Sequence, residues 1–342
     1  MKPLIAVAVS GGVDSLAAAA RLKSQGYPLF GIHFLTGYEP ENRDVAAATD
    51  RLDLPLHVID LSEAFQTQVV AYFSQTYLAG KTPNPCLVCN PTIKFGVLLE
   101  HARSLGAEYL ATGHYARIVH DDRRRPHLLR GVDGTKDQSY FLAFLTRAQL
   151  ARAWFPLGEM TKTQVIEWAA AEGLQPVSGP ESQDACFVAS GRYTEFLTAQ
   201  AAATPAEGDI VQRDGRVLGR HAGLHHYTVG QRRGIGCPAA APYYVLRLDV
   251  DNNRLVVGSK KDTLASACRV SGINWIHSEP SGPIRAFTRI RYRHRAAPSE
   301  VTPRPQHCAT VTFDEPQGAV TPGQGAVFYI GAEVIGGGWI EG

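Results

Sequence analysis

Residues 4–22 constrain the fold more than any other part of this chain. The apolar run at residues 4–9 predicts a buried parallel β-strand. The run ends at Ser10-Gly11-Gly12, and an alanine-rich helix is predicted from Ser15 onward. A strand–glycine loop–helix junction directs several backbone N–H groups and the positive end of a helix dipole at one point. This junction therefore predicts a phosphate or pyrophosphate site, although a plain tight turn in an α/β protein has the same outline.

The side chains of this loop add to the prediction. Ser10 and Ser15 supply hydroxyl donors, and Asp14 is a candidate ligand for Mg²⁺. The complete string Ser-Gly-Gly-Val-Asp-Ser resembles the pyrophosphate-binding loop of the ATP pyrophosphatases, which split ATP between its α and β phosphates. No Gly-Lys-Ser/Thr follows the glycines, so the string is not a Walker loop. We therefore expect a reaction that splits ATP. The loop does not identify the group that ATP activates, so other parts of the chain must indicate it.

Strand and helix patterns alternate through residues 1–115. Further strands are predicted at residues 29–34, 56–60 and 109–112, and an amphipathic helix at 63–79. The fold class is therefore α/β, with a doubly wound parallel sheet that binds ligands at the carboxyl ends of its strands. Ser10, Leu35 and Gly113-His114 lie at such ends. A hairpin at 116–132, a helix beginning near Lys136 or Gln138 and a capping box at Thr161 follow.

The pattern changes to short strands and turns after residue 198. We predict three domains: a catalytic domain at 1–198, a small β-rich linking domain at 199–262 and a C-terminal β-barrel at 263–342. The length of 342 residues agrees with more than one core. The apolar start ends at Val9, too early for a signal peptide or a membrane span, so we expect a cytoplasmic protein without membrane attachment, and a monomer.

Six cysteines are too few and too scattered for a disulfide framework in a chain of 342 residues. Two of them lie in segment 82–95, Thr-Pro-Asn-Pro-Cys-Leu-Val-Cys-Asn-Pro-Thr-Ile-Lys-Phe. Asn90 is a good N-cap and Pro91 a good first helical residue, which places Cys89 before a helix N-terminus with Lys94 nearby. Both features predict a lowered thiol pKa and a nucleophilic Cys89. A zinc half-site, two inert buried thiols and a redox pair are the alternatives.

Eight strings, in order along nearly the whole chain, resemble one family, the tRNA-specific 2-thiouridylases. They are Ser-Gly-Gly-Val-Asp-Ser at 10–15, Thr-Pro-Asn-Pro-Cys-Leu-Val-Cys-Asn at 82–90, Ala-Thr-Gly-His-Tyr at 111–115, Lys-Asp-Gln-Ser-Tyr-Phe-Leu at 136–142, Ser-Gln-Asp-Ala-Cys-Phe at 182–187, His-Tyr-Thr-Val-Gly-Gln-Arg-Arg-Gly-Ile-Gly at 226–236, Arg-Ile-Arg-Tyr-Arg at 289–293 and Thr-Pro-Gly-Gln at 321–324. The resemblance implies adenylation of O2 of the wobble uridine of tRNA by ATP, followed by replacement of that oxygen with persulfide sulfur and release of AMP. A sulfur-donor protein or sulfide is the implied partner beside tRNA.

The resemblance also implies a role for each matching residue. Cys89 matches the nucleophile, Cys186 the persulfide carrier and His114 a residue at the reaction centre, with Cys89 and Cys186 ending as a disulfide. The implied ATP contacts are Ala8, Val9, Ser10, Gly11, Gly12, Val13, Asp14, Ser15, Leu35 and Gly113. The implied base pocket is Asn84, Pro85 and Cys86, and the implied tRNA contacts are Lys136, Asp137, Gln138, Arg291, Tyr292 and Gln324.

Cys86 departs from the family pattern, in which many members carry an aspartate. Cys86, Cys89 and Cys186 form a set of three thiols that could hold a [4Fe–4S] cluster with one iron open to sulfide, as in related thiolases. That route gives the same product without a persulfide. Another ATP pyrophosphatase, making an amide or guanidino product, and a non-catalytic RNA-binding relative are the other hypotheses.

The net charge of +2 means that a nucleic-acid partner must be met by a local basic patch. Arginines alternate at positions 289, 291, 293 and 295. A strand through these positions would place all four on one face, as a ridge for phosphates, and a solvated edge strand is the alternative.

Overall fold

A computed structural model describes residues 1–39, 45–174, 185–188, 193–200 and 206–341 of the chain. The chain forms two compact units. One comprises Met1–Val69, Cys86–Phe187 and Gly331–Ile335, and the other comprises Val70–Pro85, Val188–Ile330 and Gly336–Gly342. The predicted motif residues Ser182, Gln183 and Asp184 lie outside the described residues.

The helices and strands alternate through residues 1–200. The strands are β1 (Ile5–Ala8), β2 (Leu29–Leu35), β3 (Leu56–Asp60), β4 (Tyr109–Ala111), β5 (Ala116–His120), β6 (Pro126–Arg130) and β7 (Ala153–Trp154). The α-helices are α1 (Val13–Ser24), α2 (Val45–Asp50), α3 (Ser62–Phe65), α4 (Ala71–Leu78), α5 (Pro85–Cys89), α6 (Leu99–Ser104), α7 (Arg147–Leu150), α8 (Lys162–Ala171) and α9 (Tyr193–Gln200). Gln66–Val70 and Asn90–Leu98 are π-helical, and Ser139–Leu142 is a 3₁₀ turn.

A parallel sheet in the order β3-β2-β1-β4-β7 forms the centre of the first unit. Its central strand β1 is apolar and buried at Ile5, Ala6 and Val7, as a parallel strand covered on both faces requires. The alanines of α1 pack on this sheet because their small side chains let the helix approach closely. The predicted doubly wound α/β class is confirmed, and the carboxyl ends of β1, β2 and β4 lie at one edge.

The remaining strands are β8 (Gly208–Gln212), β9 (Val217–His221), β10 (Tyr244–Asp249), β11 (Arg254–Gly258), β12 (Leu264–Trp275), β13 (Ile284–Arg289), β14 (Ala297–Arg304), β15 (Cys308–Gly318), β16 (Gly325–Ile330) and β17 (Glu333–Ile340). Leu224–His226 and Lys260–Thr263 are 3₁₀ turns. Strands β10-β11-β8-β9 make a four-stranded sheet. The order β12-β15-β14-β13-β16-β17 closes through pairing of β17 with β12, so the predicted C-terminal barrel is confirmed.

The helix predicted to begin near Lys136 or Gln138 is a short 3₁₀ helix, Ser139–Leu142, with Gln138 as its N-cap. The prediction of an arginine strand is wrong: β13 ends at Arg289, and residues 290–296 form the turn to β14. The guanidinium group of Arg289 donates to the carbonyl oxygen of Tyr292 and lies over its ring, which closes this turn. The four arginines therefore do not share a strand face.

The capping box at Thr161 and the hairpin of β5 and β6 are confirmed. No helix among the described ranges is long and apolar enough to cross a membrane. The domain boundaries at residues 198 and 262 stay a prediction.

Candidate active site

The glycine loop follows β1 and is closed by its own hydroxyl groups. The Ser15 hydroxyl oxygen accepts the backbone N–H of Ser10 at 3.1 Å, and the hydroxyl donates to the carbonyl oxygen of Gly12 at 2.9 Å. Gly11 has a φ of +76°, which favours glycine, and Gly12 caps α1 in an extended conformation. Helix α1 begins at Val13, so the N–H groups of its first turn lie beside the loop and suit an anion.

Gly113 lies directly against this loop. A Cβ atom on Gly113 would come within 2.8 Å of the carbonyl carbon of Asp14 and 2.9 Å of its oxygen. Only a residue without a side chain can therefore bring the end of β4 to the first turn of α1. The predicted ATP contacts on β1, its loop and Gly113 lie together for this reason.

Asp14 has charged and polar partners. Its two carboxylate oxygens accept from the Lys162 ammonium at 2.7 and 2.8 Å, and one also accepts the Tyr115 hydroxyl at 2.7 Å. Lys162 is the first residue of α8 and Tyr115 follows β4. The predicted magnesium ligand is thus neutralised by a lysine. The sequence did not show that either residue pairs with Asp14, because both lie far from Asp14 along the chain.

The carboxyl ends of β1 and β2 are joined by a buried histidine. His33 Nδ1 donates to the carbonyl oxygen of Val9 at 2.7 Å. His33 lies two residues before Leu35, the predicted ATP contact on β2. This hydrogen bond fixes the peptide that leads into the glycine loop. Sequence reasoning missed His33, whose only signal was a polar residue inside an apolar strand.

The helix that carries Cys86 and Cys89 starts earlier than predicted. Helix α5 begins at Pro85, so Cys89 is its last residue and has helical dihedral angles. The Asn90 side chain does not cap a helix but donates to the carbonyl oxygen of Phe141 at 2.9 Å. Cys89 is 8% exposed, and burial raises the pKa of its thiol to about 12. The prediction of a lowered Cys89 pKa is therefore wrong, because no helix N-terminus offsets the burial.

The π-helical segment Asn90–Leu98 determines which side chains face Cys89. Five residues of an α-helix turn through about 500°, which leaves residue i+5 roughly 140° away from residue i. The wider i→i+5 turn of a π-helix brings those two positions to the same side. Lys94 is five residues beyond Cys89, and its charge lowers the pKa of the Cys89 thiol against the larger effect of burial.

The charge of Lys94 acts on two thiols and one histidine. Its charge also lowers the pKa of Cys86, although the surrounding protein raises that pKa to about 11, and a charge on Cys186 raises the pKa of both other cysteines. Cys86 and Cys186 are exposed, and none of the three cysteines is in a disulfide. The structure therefore brings together the three cysteines that the sequence singled out.

His114 is held neutral. Burial lowers its pKa well below the usual value, and the charge of Lys94 lowers it further. Its Nδ1 is hydrogen-bonded to the Thr112 hydroxyl at 2.7 Å, and its ring packs against those of Phe95 and Phe155, which also contact each other. A neutral imidazole in this place can donate or accept hydrogen bonds without placing a charge in the apolar surroundings.

The predicted tRNA contacts of the first unit lie in the turn before Ser139. Asp137 is buried, and one of its oxygens accepts the N–H groups of Gly131 and Ser139 at 3.2 and 3.1 Å. Gln138 accepts the N–H of Tyr115 with its side chain and donates its own N–H to the Tyr115 carbonyl oxygen. Both side chains therefore shape the turn that presents Lys136.

The second unit contains a cleft of about 430 Å³ that two further predicted contacts line, Arg291 and Gln324. Arg291 is exposed and donates to the carbonyl oxygens of Gly318 and Ala319 at 3.2 and 3.4 Å. The Gln324 amide donates to the carbonyl oxygens of Thr82 and Pro83, each at 3.1 Å. Gln324 thus fixes the peptides just before Asn84 and Pro85. The half-buried Tyr292 follows Arg291 in the same turn but does not line the cleft.

Known families cover nearly the whole chain. Residues 3–190 match the tRNA methyl transferase HUP domain, residues 194–259 the tRNA methyl transferase PRC-barrel domain, and residues 265–340 the aminomethyltransferase beta-barrel domain. A relative in Desulfosudis oleivorans named tRNA-specific 2-thiouridylase MnmA is 50% identical over 99% of this chain and 95% of its own length. Relatives of the same name in Syntrophotalea carbinolica and Trichormus variabilis are each 46% identical over 98% of both chains. This chain belongs to the tRNA-specific 2-thiouridylase family.

The resemblance of the eight strings to the tRNA-specific 2-thiouridylases is thereby confirmed. As a member of this family, the chain carries its glycine loop, His114 and the three thiols in one compact unit. The roles of the individual site residues stay predictions.

Proposed function

We propose that this protein is a tRNA-uridine 2-sulfurtransferase that uses ATP to convert the wobble uridine of tRNA to 2-thiouridine. The observation that carries the proposal is the continuity between the glycine loop and the thiols. Gly113 lies against Asp14 of the loop, and the next residue, His114, shares the field of Lys94 with Cys86 and Cys89. A site for splitting ATP and a site for sulfur chemistry therefore adjoin within one unit.

The first proposed step is adenylation. A carbonyl oxygen is a poor leaving group, so O2 of the uridine attacks the α-phosphorus of ATP and pyrophosphate departs. Backbone N–H groups of the loop and the start of α1 would hold the pyrophosphate. The residues proposed to contact ATP are Ala8, Val9, Ser10, Gly11, Gly12, Val13, Asp14, Ser15, Leu35 and Gly113. Because Lys162 neutralises Asp14, we expect Mg²⁺ to enter bound to the ATP phosphates.

The second proposed step is sulfur transfer. Cys186, exposed to solvent, would attack the outer sulfur of a cysteine persulfide on a donor protein, take that sulfur as its own persulfide and release the donor cysteine as a thiolate. The terminal sulfur attacks C2 of the adenylated uridine, and AMP leaves with the former O2. The Cys89 thiolate then attacks the Cys186 sulfur, which forms a disulfide and leaves the terminal sulfur on the base. An external thiol must reduce this disulfide before another turnover.

His114 suits hydrogen bonding to the uridine because its imidazole is neutral. The N3 proton of the uridine must leave to solvent as O2 attacks phosphorus, since burial and the charge of Lys94 oppose a positive charge on His114. Asn84, Pro85 and Cys86 are proposed to line the base pocket, while Lys136, Asp137, Gln138, Arg291, Tyr292 and Gln324 are proposed to contact tRNA.

A [4Fe–4S] cluster on Cys86, Cys89 and Cys186 is the alternative sulfur route. The donor set fits such a cluster chemically, since three thiols that influence one another leave one iron open to sulfide. Only the presence of Cys86 argues for it, so the persulfide route comes first. An amide- or guanidino-forming ATP pyrophosphatase would leave all three thiols without a role, and the family does not favour it.

Three variants and an iron measurement test the proposal. The protein is purified without oxygen, its iron content is measured, and it is incubated with ATP, an unmodified tRNA and a persulfide donor. We expect 2-thiouridine and AMP in equal amounts and no stoichiometric iron. Cys186→Ala should still release pyrophosphate with tRNA but form neither AMP nor 2-thiouridine, Cys89→Ala should form no 2-thiouridine, and Cys237→Ala should behave as the parent protein.

Two outcomes decide between the routes. Iron near four atoms per chain, with 2-thiouridine formed from free sulfide, would replace the persulfide relay by the cluster. An absence of 2-thiouridine with every sulfur source would contradict the proposed function itself.

A further inference from the structure

The turn at residues 131–138 is built onto the backbone of Tyr115. A Cβ atom on Gly131 would lie 2.8 Å from the carbonyl oxygen of Tyr115, so the two peptides are in close contact. Gln138 hydrogen-bonds both the N–H and the carbonyl oxygen of Tyr115, at 3.0 and 2.9 Å. The peptide of Tyr115 therefore has little freedom to move independently of the turn that presents Lys136.

The side chain of Tyr115 extends from that peptide to the glycine loop. Its ring is 2% exposed and packs in the core with Val9 and Ala17, next to the loop on both sides. Its hydroxyl donates to Asp14 at 2.7 Å. A buried ring held on all sides transmits a displacement of its backbone to its hydroxyl, because close-packed interiors yield little.

A second connection joins the same turn to the same carboxylate. Asp133 accepts the backbone N–H of Lys162 at 2.9 Å, and the Lys162 ammonium binds both oxygens of Asp14. Lys136 donates its N–H to the carbonyl oxygen of Asp133 at 3.1 Å. Both ends of the turn therefore converge on Asp14, one through Tyr115 and the other through Lys162.

We propose that Tyr115 is a positioning residue that couples tRNA contact at residues 136–138 to the alignment of the ATP loop. The inference rests on the proposed function, because it takes this turn as a tRNA contact and the loop as an ATP site. When tRNA holds the turn, Tyr115 and Lys162 hold Asp14, and with it the first turn of α1 against Gly113. ATP then meets a loop that is already ordered, so tRNA and ATP each strengthen the binding of the other.

The test measures this coupling directly. The Kd of α,β-methylene ATP, which cannot be split between those phosphates, is determined with and without saturating unmodified tRNA transcript. For the parent protein we expect tRNA to lower the Kd about tenfold, within the usual range of coupling between sites. Tyr115→Phe keeps the ring and removes the hydroxyl. For this variant we expect the ratio of the Kd without tRNA to the Kd with tRNA to fall below about two.

Two further variants complete the design. Tyr109→Phe is the matched control, since Tyr109 lies on β4 and packs edge-on against Trp154, away from Asp14. It should keep the parent ratio. Asp133→Ala removes the second connection and should lower the ratio as well, which keeps the test decisive if Tyr115→Phe does not fold.

A parent protein without coupling, or a Tyr115→Phe protein with the parent ratio, would overturn the inference. If such a protein still makes 2-thiouridine, the proposed function stands and only the coupling fails. A parent protein that neither binds the ATP analogue nor modifies tRNA would contradict the proposed function instead.

Discussion

The Cα atom of Gly113 faces the peptide of Asp14 so closely that a Cβ on Gly113 would lie 2.8 Å from the Asp14 carbonyl carbon. This approach joins the end of β4 to the start of α1 and closes one side of the glycine loop.

Gly113→Ala should therefore abolish ATP use while the fold survives. The added methyl group must push α1 away or be absorbed by strain of about 1–3 kcal/mol. We expect release of AMP in the presence of tRNA to fall at least about a hundredfold, because displaced N–H groups no longer meet the phosphates. Gly282→Ala is the control, since nothing lies within 4 Å of a Cβ there. Normal AMP release by Gly113→Ala would show that the close approach does not shape the ATP site.

Lys94→Met should raise the thiol pKa values of Cys86 and Cys89. Lys94 stabilises both thiolates, so its loss moves each pKa further upward. At pH 9 the alkylation of Cys89 by iodoacetamide, followed by peptide mass spectrometry, should slow about tenfold. Lys94→Arg keeps the charge and should stay within about threefold of the parent. If Cys89 is alkylated at the same rate in Lys94→Met and in the parent protein, Lys94 does not stabilise the Cys89 thiolate.

His114 should make the protein less stable in acid. Its pKa in the folded protein lies well below that of the unfolded chain, so the unfolded chain takes up a proton first as the pH falls. The stability contribution is complete above about pH 6.5 and is lost below it, by up to about 1.4 kcal/mol per pH unit. Melting temperatures between pH 5 and 7.5 should therefore fall more steeply for the parent than for His114→Gln. Parallel curves for the two proteins would mean that His114 titrates normally.

Arg291→Ala should weaken tRNA binding in a salt-dependent way. Arg291 is exposed beside the cleft of the second unit and can neutralise one phosphate. The slope of log Kd against log salt concentration should decrease by about one, because binding releases one counterion fewer. Arg304→Ala, an exposed arginine that does not line the cleft, is the control and should keep the parent slope. The same slope in both variants would place Arg291 outside the tRNA interface.

The local elements that form the glycine loop follow from the sequence alone. An apolar run, two glycines and an alanine-rich segment suffice for β1, its loop and α1, because strand burial, positive φ and helix propensity act over neighbouring residues. The alternation of strands and helices likewise determined the parallel sheet. The three thiols and His114 were identified by their strings.

Only the tertiary structure decided the chemistry of those residues. Cys89 has a raised pKa because side chains from distant segments bury it, an effect that no local pattern contains. Arg289 ends β13 by turning back on Tyr292, so the alternating arginines form no ridge. Lys162 lies 148 positions beyond Asp14, and the sheet and helix packing alone bring its ammonium to that carboxylate. Local propensities act over a few residues, whereas burial and ion pairing depend on which distant segments the fold places together.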